Sequence, residues 1–288
     1  MGLAAGLRHD GHGSEERVRE KRDLRLKLAL CVLCVLLLAD LPGLPGPPDL
    51  PGLSGLHAQH AAFRTKGRVV ADGGERIANA GVRAEAFYGY AAGTFSGPRI
   101  YETTTNAKGE WNIGAMQPGV WEFDVTAAGY MPQTVVLPIR ILTTVSMGTS
   151  GMALTWDLVT KPLKLPDGAR GQTIAGLTKM AADGKSELVR AGLQRLPDDA
   201  DSDYLVGGGN LAMLARDSAL ARALYQRALE RDPSSYRAAL GIASTFLVQR
   251  DFDSASRAFD AARSRTHDKD EQKFISYAIG DLATIRVR

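Results

Sequence analysis

Between residues 118 and 133 the chain reads PGVWEFDVTAAGYMPQ, and apolar and polar side chains alternate through its first half. Trp121, Phe123, Val125 and Ala127 fall on one side, with Glu122, Asp124 and Thr126 on the other. A period of two predicts a half-buried strand with one face on a core and one in water. Pro118-Gly119 predicts a turn ahead of it, because Pro presets φ and Gly tolerates positive φ. The same texture covers residues 63 to 163. GRVV (67–70), GVRAEAFYGY (81–90), RIYETTT (99–105), EWNI (110–113), QTVVLPIRI (133–141) and MALTWDLVT (152–160) join the first segment as short strands. NAKG (106–109) supplies a hairpin signal between the third and fourth of these seven strands. Short strands at such intervals predict an antiparallel two-sheet sandwich of about 100 residues.

After Pro166 the spacing becomes helical. Ala221, Tyr225 and Ala228 recur as Ala255, Phe259 and Ala262, thirty-four residues later. Two helix-forming segments, TIAGLTKMAA and SELVRAGLQRL, precede this pair of units. Beyond it, Phe274, Ala278 and Leu282 form one apolar stripe with Ile275 and Ile279, which suits a capping helix over 270–285. The fold class is therefore α+β, with a β domain at 63–163 and an all-α domain at 164–288. The change of composition between Leu163 and Ala175, around KLPDGARG, predicts an exposed inter-domain linker.

Gly67, Val69, Gly74, IANAGV (77–82), TTTNAKGEWNI and PGVWEFDVTAAGY, in that order, resemble the carboxypeptidase regulatory-like domain. The resemblance spans roughly residues 64 to 141 and implies an Ig-like, prealbumin-type sandwich in which Gly129-Tyr130 turns the chain over. None of the matching residues is implied to be catalytic. The A-x3-[FY]-x2-A spacing at a period of 34 resembles the tetratricopeptide repeat, with units at 202–235 and 236–269. Repeats of this kind bury their apolar faces only against neighbours, so residues 170–197 and the capping helix are expected to complete the array. The resemblance implies a concave groove lined by Val206, Asn210, Met213, Arg237, Leu240, Ser244 and Leu247. Val206 stands where the chaperone-tail clamp has Lys, so that clamp is not implied.

Ahead of the β domain, Arg17, Arg19, Lys21, Arg22, Arg25 and Lys27 precede the apolar run LALCVLCVLLLA (28–39). A basic region followed by a dozen apolar residues is the plan of a secretory signal, and the run is short for a membrane span. Residues 1–39 are read as a signal peptide with an extended basic region, and 40–62 as a Pro/Gly-rich linker. The mature protein is expected to be periplasmic or secreted, touching membrane only through the signal if it stays uncleaved. Cys31 and Cys34 both lie in the run, so their C-x-x-C spacing carries no redox or zinc reading.

The remaining chemistry is sparse. Formal charge is +3 with basic residues spread along the chain, which gives no electrostatic case for nucleic acid. His12 and Glu15 match H-x-x-E but lie ahead of the signal. GGG at 207–209 lacks the Lys and Ser/Thr that phosphate binding requires. No cofactor or metal is expected. Tyr88, Tyr90 and Phe95, around a glycine-rich loop, are candidates for stacking on a glycan or for ordinary strand packing. The leading expectation is a non-catalytic, exported protein–protein interaction scaffold of the cell envelope. It would take a protein or peptide in the helical groove, with the sandwich as adaptor. Glycan binding by the sandwich is the second reading, and an unrecognised hydrolase the third.

Overall fold

The computed structural model describes residues 64–89, 99–114, 116, 119–139 and 156–285. The expected signal, the linker, both cysteines, Pro118, Tyr90 and Phe95 lie outside the described residues. Seven strands fall within them: β1 (Arg64–Val69), β2 (Gly81–Gly89), β3 (Ile100–Thr104), β4 (Glu110–Gly114), β5 (Gly119–Thr126), β6 (Gln133–Ile139) and β7 (Trp156–Thr160). They form a three-stranded sheet in the order β4-β1-β7 and a four-stranded sheet in the order β3-β2-β5-β6. Pairing is antiparallel, except that β7 runs parallel to β1.

The inner faces meet as the alternation requires. Trp111, Trp121, Phe123, Val125, Leu137 and Leu158 are buried, and the Trp111 and Phe123 rings lie 5.9 Å apart. The turn after β5 closes on Gly129 at φ 81°, where Tyr130 N–H donates to the Ala127 carbonyl at 3.1 Å. Positive φ costs a residue with a Cβ about 1–2 kcal/mol, so glycine is the natural occupant.

Seven helices follow among the described residues: α1 (Gly168–Ala182), α2 (Ser186–Leu193), α3 (Ser202–Leu214), α4 (Ser218–Arg231), α5 (Tyr236–Val248), α6 (Phe252–Arg265) and α7 (Lys269–Ile285). The starts of α3 to α6 are fixed by side-chain caps. Asp201, Asp217, Ser235 and Asp251 accept from backbone N–H groups three residues on, which satisfies donors left free by the first turn. Tyr225 and Phe259, the repeated aromatic positions, are fully buried. Tyr225 lies between α3 and α5 because both are glycine there. A Cβ at Gly209 or Gly241 would come within 2.4 or 2.5 Å of its ring.

Two expectations change on contact with the structure. The outer face of β5 is not in water: Glu122 is 0% and Asp124 5% exposed, because the helices cover that face. Nor is the junction a free linker. Met131 N–H donates to the Leu163 carbonyl at 2.7 Å and Leu165 N–H to Gly129 at 2.9 Å, so its backbone is satisfied by the sandwich. Residues 59–288 form one compact unit, and a single apolar core runs from Val69 in the sandwich to Leu282 in α7.

Candidate functional site

The concave face of the helical array is the one surface on which the expected site residues converge, and it is occupied. Strand β6, an edge of the four-stranded sheet, lies along it and packs on α3, α5 and α7. The sequence of β6 suits two-sided burial, since Thr134, Val135, Val136, Leu137 and Ile139 are all buried.

An edge strand carries backbone groups with no partner strand, and here helix side chains meet them. Ser244 Oγ accepts the Val136 N–H at 3.0 Å and itself donates to the Leu240 carbonyl at 3.1 Å. Asn210 Nδ2 donates to the Pro132 carbonyl at 2.9 Å, while Asn210 Oδ1 accepts from the Tyr225 hydroxyl at 2.8 Å. Val206, Met213, Leu240 and Leu247 are also buried, and Val206 and Leu240 lie beside Asn210 and Thr134. Arg237 reaches across to Asp72 in the β1–β2 connection and to the Lys161 carbonyl. Between Val206, Asn210, Leu240 and Thr134 only about 10 Å³ remains, room for roughly one water. Of the seven residues expected to face a partner, Val206, Asn210, Arg237, Leu240 and Ser244 thus meet the chain's own sandwich.

Tyr88 belongs to the same junction. Its hydroxyl donates to the Leu247 carbonyl at 2.6 Å, and its ring meets Phe252 edge-on at 6.4 Å. The Arg250 guanidinium lies 4.2 Å from the ring centroid, over one face of the ring. Burial pushes its phenol well above the usual tyrosine range. Tyr88 packs between the two layers, with both its hydroxyl and its ring engaged there.

Three further groups act at the junction, of which the sequence drew attention only to the glycine run, as a motif lacking the residues for phosphate binding. Arg216 and Arg250 both adopt φ 60°, each in the tight connection between paired helices and thirty-four residues apart. Arg216 binds Glu122 at 2.7 Å, pairs also with Glu85, and lies 5.2 Å over the Phe87 ring. Equivalent loops of two repeats therefore hold adjacent parts of the sandwich, and the signal for them was an Arg-Asp pair recurring at the repeat period. The third group is the glycine run of α3. A Cβ at Gly207 would come within 2.5 Å of Met131 Sδ, so the sandwich side chain seats directly on the helix backbone. Glycine inside a helix costs about 1 kcal/mol relative to Ala, and close approach is what that cost secures.

The far end is tied as well. Lys161, just past β7, pairs with Asp268 at 2.7 Å and Glu271 at 3.2 Å near the start of α7. Beside the first tie, burial pushes the Asp124 carboxyl up to about 6, opposed by the Thr134 hydroxyl and by the Arg216 and Arg83 guanidinia. Burial and the neighbouring Asp124 carboxylate also hold Glu122 well above the usual range. Among the described residues no three His, Cys, Asp or Glu side chains are placed to hold a metal ion.

One family model matches part of the helical region. Residues 212–273 match the tetratricopeptide repeat model. No curated protein sequence matches the chain. Among solved structures, the Yersinia enterocolitica type III secretion chaperone SycD, in complex with a peptide of the translocator YopD, is 22% identical. It overlaps 40% of this chain and 91% of its own at a TM-score of 0.35. PcrH from Pseudomonas aeruginosa is 20% identical over 42% of this chain and 95% of its own, with a TM-score of 0.34. Catechol 1,2-dioxygenase from Acinetobacter, inhibited by bound mercury, overlaps 40% of this chain and 56% of its own at 13% identity and a TM-score of 0.30. Overlaps of this extent are partial and assign neither an activity nor a partner.

Asn210→Ala leaves the Tyr225 hydroxyl and the Pro132 carbonyl unpaired in a buried site. Denaturant unfolding should show a loss of about 2–4 kcal/mol, where an open groove would lose under about 0.5 kcal/mol. The Asp124 carboxyl gives a second expectation. Its folded value lies above the ordinary value of about 3.9, so the folded state binds the extra proton and stability falls as pH rises from about 4 through about 6. Asp124→Asn should remove roughly 2 kcal/mol of that fall, up to about 1.4 kcal/mol per pH unit. Parallel wild-type and variant unfolding curves between pH 4.5 and 7 would contradict it.

Proposed function

We propose that this is a non-catalytic, exported interaction scaffold of the cell envelope in which the tetratricopeptide array serves first as an internal clamp. Its concave face holds strand β6, so the sandwich and the array act as one rigid body. The observation that supports this reading most directly is the pair of contacts on the backbone of the β6 region, Ser244 to the Val136 N–H and Asn210 to the Pro132 carbonyl. Groove side chains that bond to a main chain treat the strand as an extended peptide ligand. Protein partners would then meet outward surfaces of the fused body, with the groove already engaged. The export part of the reading rests on the basic region and apolar run of the first 39 residues.

A disulfide engineered between Val136→Cys and Ser244→Cys tests the clamp. Proteins captured from an envelope extract should be the same for the locked and the wild-type chain. Loss of capture on locking, restored by reduction, would mean that partners enter the groove in place of β6. Separately, a reporter fused after residue 62 should leave the cytoplasm, and its retention there would remove the envelope assignment.

A further inference from the structure

On the outer face of the four-stranded sheet, beside the clamp, a cleft of about 930 Å³ opens between β2, β3 and β5 and the α1–α2 turn. Clefts at the junction of two structural layers are common ligand sites. Asp124 lines this one, is only 5% exposed, and has an unusual bonding state. Its Oδ1 accepts from the Thr134 hydroxyl at 2.8 Å, whereas its Oδ2 is buried without a hydrogen-bond donor. A buried acceptor of this kind costs roughly 1–3 kcal/mol until something donates to it.

The nearest cation does not fill the role. Arg83 Nη1 stands 3.6 Å from Asp124 Oδ2, beyond hydrogen-bond distance, while its Nη2 pairs with Glu85 at 2.6 Å. Arg83 is therefore free to swing toward Glu85 and Glu102 without losing its own hydrogen bond. The charges facing Asp124 are Glu85 and Arg83 on β2, Glu102 on β3, Glu122 on β5 and Arg216 from the α3–α4 loop, with the Tyr225 phenol behind on α4. Four carboxyl groups share two guanidinia, so the site has room for one more positive charge.

We propose that the cleft binds a primary ammonium group on an alkyl stem, with one N–H seated on Asp124 Oδ2. A guanidinium fork pairs with both oxygens of a carboxylate, and here only one is free. An ammonium is a point donor with three N–H bonds, and the cleft lining also carries the hydroxyls of Thr126 and Thr104 as further acceptors. Leu214, Ala181 and Ala182 supply apolar wall for the stem. A lysine side chain and a small aliphatic amine share this chemistry. The inference rests neither on the clamp nor on export.

Calorimetric titration of the full chain with n-butylamine hydrochloride and with N-acetyl-lysine amide, against 1-butanol as the uncharged control, decides the matter. At pH 7.5 saturable binding of at least one amine is expected, with none of butanol. Binding of butylamine alone points to a free amine, and binding of the lysine amide to a protein side chain. Asp124→Asn should weaken binding at least tenfold, and Arg83→Ala should tighten it severalfold by uncovering Oδ2. Lowering the pH to 5 should also weaken it about tenfold, because a proton then competes for Asp124. Should the Asp124 variant lose its cooperative melt, the direction of the Arg83→Ala effect decides. Failure of both amines to saturate, equal binding of butanol, wild-type affinity in a folded Asp124→Asn, or weaker binding by Arg83→Ala would each overturn the proposal.

Discussion

An edge strand must give its outward backbone groups to something, and β6 gives them to helices. That requirement organises the molecule. It places the four-stranded sheet with its edge along the concave face of the array, and it demands polar groups there, at Ser244 and Asn210. It also explains why the array carries glycine where Met131 arrives. Natural sheets guard their edges with charge, proline, bulges or a covering element. This one uses Pro138 near the strand end and a helical array over its length.

Covering the sheet carries a cost on its charged outer face. Glu122 and Asp124 leave water when the helices dock, and two arginines partly compensate them. A charge pair buried in this way often contributes little net stability, yet breaking it by removing one partner is expensive. Such a network selects the docked arrangement more than it strengthens it. A slipped register would bring Trp121 or Phe123 under Arg216, where neither offers the guanidinium an acceptor.

Local pattern made both layers legible, because a period of two and a period of thirty-four each follow from geometry within one element or one repeat. Where the layers meet was not legible from that pattern. Alternation in β5 reports that Glu122 and Asp124 oppose the sandwich core, but it is the same whether water or a polar protein surface lies beyond. Asn210, Ser244 and Arg237 read as exposed groove positions for a similar reason: a hydrogen bond to a main chain leaves no mark on the sequence of the strand that receives it. One trace did exist. TVVLPI lacks the alternation of its neighbours, and a strand apolar on both faces has to be covered on both. The three consecutive glycines inside α3 were a second trace, since an interior helix position gains from glycine only when something comes very close.

An array of helical repeats is ordinarily a spring, because each unit touches only its neighbours and small rotations accumulate along its length. This array is pinned to one sandwich near its beginning, through Asn210 and Arg216, and again near its end, through Lys161 with Asp268 and Glu271. Fastening both ends to the same stiff plate removes the freedom to uncoil. The superhelix then has one pitch, and the body works as a truss rather than a coil. A load applied across the helices passes into the sandwich through these ties, and β6 hands it on to β5 through their antiparallel ladder.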